Sequence, residues 1–139
     1  MKQLFLIFTF FLSGLINSSA QESYTLTINF TGMKSDTGSV YVGIHNKEKD
    51  FLKKRFKEAV ITVTNRKGMA IIKELPKGEY AVSAFHDENE NYKMDTNFIG
   101  IPKEPIGISN DATGFMGPPK YKDAKFQISK DTTISIKIN

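Results

Sequence analysis

The sequence predicts an all-β protein, an antiparallel seven-stranded sandwich of immunoglobulin-like or transthyretin-like type that carries one long ordered loop. Three observations carry this. Apolar and polar residues alternate with period two in seven short segments. Turn chemistry separates those segments, and no stretch sustains a long helical period. Short connections between antiparallel strands then favour two packed sheets.

Each element follows in order. Tyr24, Leu26, Ile28 and Phe30 alternate with Thr25, Thr27 and Asn29, and Gly32 with Ser35-Asp36-Thr37-Gly38 turns the chain. Val40, Val42 and Ile44 form the second strand. Lys47 to Lys57 breaks the pattern; Leu52 and Phe56 are four apart, which predicts a loop with a short helix presenting both on one face. Ala59–Thr64, Met69–Leu75 and Tyr80–Phe85 are the next strands, joined through Asn65-Arg66-Lys67-Gly68 and Pro76-Lys77-Gly78. Ala124, Phe126 and Ile128 alternate after the long loop, and Ile134, Ile136 and Ile138 close the chain. The predicted core is Leu26, Ile28, Val40, Val42, Ile61, Ile71, Tyr80, Val82, Phe126 and Ile136. Leu75-Pro76-Lys77-Gly78-Glu79-Tyr80 resembles the turn of transthyretin-like sandwiches; the tyrosine is expected to bury its ring while its hydroxyl reaches a backbone partner.

The first 20 residues have secretory grammar. Lys2 precedes the apolar run Leu4–Leu15, and Ser18-Ser19-Ala20 offers small residues to a peptidase. The run is shorter than the ~20 residues of a spanning helix. The expected organisation is therefore a signal peptide over 1–20 and one domain over 21–139, exported to the periplasm or the medium, with no membrane span after cleavage. Removing 1–20, which holds one lysine and no acid, lowers the net charge from +4 to +3. Basic residues interleave with acids, as in Lys47-Glu48-Lys49-Asp50, which speaks for solvated surface rather than nucleic-acid binding. The chain has no cysteine, so neither disulfides nor thiol chemistry is open to it.

The segment from His86 to Pro119 departs from the pattern. It exceeds the ~12–15 residues of an ordinary connector, and it contains Phe98, Ile99, Ile101, Ile106, Ile108, Phe115 and Met116, all expected to pack onto the body. Asp87, Asn89, Asn91 and Asp95 stand at positions one, three, five and nine of a loop, with Lys93 at seven able to offer its carbonyl. Alternate oxygen-bearing side chains converge as a backbone curls, and calcium takes six to eight oxygens. These residues are the expected calcium ligands. Position six is Tyr92 rather than glycine, so Asn91 is expected to take the left-handed conformation. Position twelve is Phe98, so a further carboxylate must come from Glu88, Glu104 or Asp111. His45 and His86, each at a strand end, would form a transition-metal site if their ends shared a pole.

The run Tyr80-Ala81-Val82 through Phe85-His86-Asp87-Glu88-Asn89 resembles the hallmark of a secreted bacterial family. So do Asn91, Asp95, Gly100-Ile101-Pro102, Glu104, Gly107, Ser109-Asn110, Gly117-Pro118-Pro119, Asp123-Ala124 and Phe126. That family is catalogued as domain of unknown function 2141 (DUF2141), and its members usually carry glycine where this chain has Tyr92. The resemblance implies an exported β-sandwich, and it points to no particular activity, because the family's function is unassigned. No G-x-S-x-G elbow, phosphate loop or H-E-x-x-H is present. The expected function is a non-enzymatic module presenting a surface to a glycan, a peptide or an envelope protein. The alternative is a small hydrolase or lyase using His86 with Asp87 or Asp95.

Overall fold

The computed structural model describes residues 19–139; the expected signal peptide over 1–20 lies almost wholly outside them. Eight strands form: β1 (Ser23–Thr31), β2 (Ser39–His45), β3 (Lys57–Thr62), β4 (Gly68–Pro76), β5 (Gly78–Asp87), β6 (Ile106–Ile108), β7 (Phe126–Ile128) and β8 (Thr132–Lys137). One sheet has the order β4-β1-β8. The other runs β3-β2-β5-β6, with β7 pairing the first residues of β5. The architecture is the expected all-β sandwich, with two differences. β6 is an eighth strand inside the segment read as loop, and β1 pairs with β8 in parallel while the other strand pairs are antiparallel.

Period-two alternation builds the core. Leu26, Ile28 and Phe30 of β1 face Val40, Val42 and Ile44 of β2 and Tyr80, Val82 and Ala84 of β5, with Ile136 and Ile138 sealing one side. Ile61 and Phe126 are partly buried against this cluster. Ile71 is not in it: the side chain is 51% exposed, whereas Ala70 and Ile72 are buried. The cause is a β-bulge. Tyr24 pairs with Leu75 but Leu26 pairs with Ile72, so Lys73 and Glu74 together oppose Thr25, and Glu74 takes φ 58°. The bulge lets Ile72 and Leu75, three apart, both face inward. Lys57 caps it from the other sheet, its ammonium donating to the Lys73 carbonyl at 2.6 Å and the Glu74 carbonyl at 3.1 Å.

A second, smaller cluster covers part of the outer face of the β5 sheet: Phe51, Ala81, Ile108, Tyr121 and Ala124. The Lys47–Lys57 segment contributes a 3-10 turn over Glu48–Asp50. Its buried aromatic is Phe51, while Leu52 and Phe56 remain exposed, which corrects the expected helical face. Tyr121–Ala124 forms one helical turn, α1. Ser109 fastens this layer to β5. Its hydroxyl accepts from the Val82 N–H at 2.9 Å and donates to the Ala124 carbonyl at 2.5 Å. Tyr80 donates from its hydroxyl to the Pro76 carbonyl at 2.6 Å, as the turn sequence implied. Among the described residues no helix is long and apolar enough to cross a membrane.

Candidate metal centre

β5 ends at Asp87, and alternation places His86 and Asp87 on opposite faces of the strand. Asp87 is 1% exposed and organises the loop that follows. One carboxylate oxygen accepts from the Asn91 N–H at 3.2 Å and the other from the Tyr92 N–H at 2.8 Å. Gly38 lies so close to the Asp87 carbonyl that no larger residue fits, and its φ of 75° suits glycine.

The curl then brings the predicted ligands together. Asn91 donates from its amide to both oxygens of Asp95 at 2.8 Å, and Asn89 donates to one of them at 2.6 Å. Asn89 Oδ1 accepts from the Asn91 N–H, and Asn91 Oδ1 from the Lys93 N–H, both at 3.2 Å. The amides of Asn89 and Asn91 hold the Asp95 carboxyl below the usual carboxylate range. Tyr92 itself, not Asn91, adopts the left-handed conformation, with φ 66°. The chain thus makes the turn that glycine makes in such loops, and the expectation for Asn91 is corrected.

Of the three further carboxylates considered, one arrives. Glu104 Oε2 accepts from the Asp95 N–H at 3.1 Å, and its Oε1 is buried with no hydrogen-bond partner. Burial raises its pKa, with Asp87 and Asp95 adding to the effect. Glu88 turns the other way, accepting from the Ser35 hydroxyl at 3.3 Å. Asp111 is spent on β8, where it accepts from the Lys137 N–H at 2.9 Å. A cleft of about 380 Å³ opens beside the cluster, lined by Glu88, Asn89, Asp95, Thr96, Lys103 and Glu104. Among the described residues no three or more histidine, aspartate or glutamate side chains are gathered as a ready-made metal cage. The groups gathered here are of mixed type: carboxylates and asparagine amides.

The histidines do not form a pair. His45 lies opposite Ala81 and His86 opposite Val40, five residues apart along β2, or roughly 17 Å. His45 is buried; its Nδ1 donates to the Lys54 carbonyl at 3.0 Å, so Nε2 accepts from the Ser83 hydroxyl at 2.8 Å. Burial lowers its pKa. His86 is fully buried, with Nε2 donating to the Thr37 carbonyl at 2.6 Å. It does not line the cleft, and its Nδ1 lies 3.6 Å from Glu88 Oε1.

Several apolar residues expected to fold back are instead in solvent. Ile108 is buried and Ile106 partly so, but Phe98, Ile99, Ile101, Phe115 and Met116 are exposed. No curated protein and no solved structure matches the chain. A family model described as "Uncharacterized protein conserved in bacteria (DUF2141)" matches residues 28–136, which take in most of both sheets and the whole loop, and the chain belongs to that family.

Proposed function

We propose that the protein is an exported, non-enzymatic β-sandwich module whose 87–95 loop takes one calcium ion, and that the ion orders a surface for an envelope or extracellular partner. The observation that carries this reading is the convergence of Asn89, Asn91 and Glu104 on Asp95, in a loop whose sixth residue holds a left-handed turn despite being tyrosine. Asp87, Asn89, Asn91, the Lys93 carbonyl, Asp95 and Glu104 supply the six oxygens that calcium needs at minimum. Rotating the two asparagine amides end for end presents oxygen where each now presents nitrogen to Asp95, at the cost of the Oδ1 contacts with the Asn91 and Lys93 N–H groups. The partnerless oxygen of Glu104 supports the same reading, since a buried carboxylate oxygen without a donor is costly unless a cation or a proton meets it. Magnesium fits less well, because it demands near-octahedral geometry and keeps its waters.

Calorimetry and thermal melts test it. Calcium at a hundred times its dissociation constant should stabilise the mature protein by about 2.7 kcal/mol. Asp87→Ala with Asp95→Ala should remove that rise and leave the loop open to protease. No calcium heat at millimolar concentration, with a melt that chelator leaves unmoved, would sink the proposal.

A further inference from the structure

Asp95 closes the candidate cage and also begins a narrow finger. The Lys103 N–H donates to the Asp95 carbonyl at 2.8 Å, Thr96 bridges to Pro102, and the Asn97 N–H donates to the Ile101 carbonyl at 2.9 Å. The tip is pinned from within. Asn97 Oδ1 accepts from the Ile99 N–H at 3.0 Å and the Ile101 N–H at 2.9 Å, and the Gly100 N–H returns to the Asn97 carbonyl at 3.0 Å. The finger therefore has a fixed shape, and that shape turns its apolar side chains outward. Phe98 is 99% exposed, Ile99 65% and Ile101 53%. An unstructured turn would be free to lay these side chains on the body; this one holds them in water.

The shape decides what can cover them. A phenylalanine buries about 150–250 Å² at most, so three such side chains offer on the order of 500 Å², short of the ~800 Å² per partner in a standard protein interface. A convex tip also presents no concavity for a small molecule. A fluid bilayer has neither requirement, because it closes around a small wedge and the affinity scales with the apolar area buried. Behind the tip stand Tyr92, 78% exposed, and the exposed Lys93 and Lys103. Amphipathic rings and long cations of this kind settle at headgroup level while apolar tips go deeper.

The geometry points to a membrane-docking finger that inserts Phe98, Ile99 and Ile101 into the interface of a phospholipid bilayer. The carboxylates of Asp87, Glu88, Glu90, Asp95 and Glu104 outnumber the two lysines in this stretch. The loop therefore meets an anionic headgroup layer with repulsion until a divalent cation offsets it. In this respect the inference rests on the calcium reading: an ion at the root of the finger makes docking to anionic membranes calcium-dependent.

Co-sedimentation of the mature protein with vesicles of equal parts phosphatidylcholine and phosphatidylglycerol tests it, with calcium or with chelator, beside calcium calorimetry. In calcium, Phe98→Ser with Ile99→Ser should lower vesicle affinity about tenfold or more, since the apolar anchor is lost. The melt and the calcium heat of that variant should match the wild type, because its side chains touch neither cage nor core. Equal sedimentation of wild type and tip variant overturns the finger, as does a wild type that stays in the supernatant whether or not calorimetry shows the ion bound. Tip-dependent sedimentation that persists in chelator, with no calcium heat, upholds the finger and removes the ion.

Discussion

Tyr92 carries an aromatic side chain at φ 66°, a region where a Cβ crowds the following carbonyl and costs about 1–2 kcal/mol. Its ring is largely exposed and repays little of that through burial. What holds the residue there is Asp87, whose carboxylate takes the Tyr92 and Asn91 N–H groups together. Tyr92→Gly should therefore stabilise the fold by about 0.5–1 kcal/mol, the relief of strain exceeding glycine's entropy loss. A rise in melting temperature of the calcium-free protein checks this, and a fall would mean that the ring contributes packing that its exposure conceals. The gathering of Asn89, Asn91 and Asp95 was legible as a spacing of oxygen-bearing side chains. Which residue makes the turn was not, because asparagine tolerates the left-handed region better than tyrosine and local preference points to Asn91. Glu104 was one of three carboxylates that the sequence could not separate, since only the path of the finger returns it to Asp95.

Among the elements, seven strands were readable because one face of each is buried and alternation records it. The phase of β4 was the exception. Counting back by twos from Leu75 reaches Ile71, but the extra residue at Lys73-Glu74 slips the count by one and sends Ile72 inward instead. β6 escaped notice for a different reason. It is three residues long with glycine at its centre, too short for any period to show. That glycine is a packing requirement. A Cβ on Gly107 would press on the Ile136 and Ile138 side chains and the Lys137 carbonyl. Gly107→Ala should accordingly destabilise the protein by about 1–3 kcal/mol, as overfilled cores do. Denaturant melts measure this directly, and an unchanged midpoint would show that β6 and β8 are free to part.

At the scale of the molecule, export is the proposal that governs the others, since it sets the calcium and the membranes the protein meets. The pattern Ser18-Ser19-Ala20 after an apolar run predicts a mature terminus at Gln21. Mass spectrometry of protein recovered from the envelope or medium should find Gln21 first. An intact Met1 there would count against cleavage. The described fold is compatible with removal of the leader, because β1 begins at Ser23 and the structured core starts with Leu26.

The parallel pairing of β1 with β8 sets an order of events. The two strands lie at opposite ends of the sequence, with the Thr25 N–H bonded to Asp131 across 106 residues, and the last residue pairs with Ile106 in both directions. A growing chain can form the β4–β1 pair early, yet it leaves one edge of β1 bare and the core open where Ile136 and Ile138 belong. Closure waits for residues 132–139 to emerge, and such long-range pairing is intrinsically slow. A polypeptide built this way cannot complete its core before its final residues arrive, and the last strand is the one that commits it to its final shape.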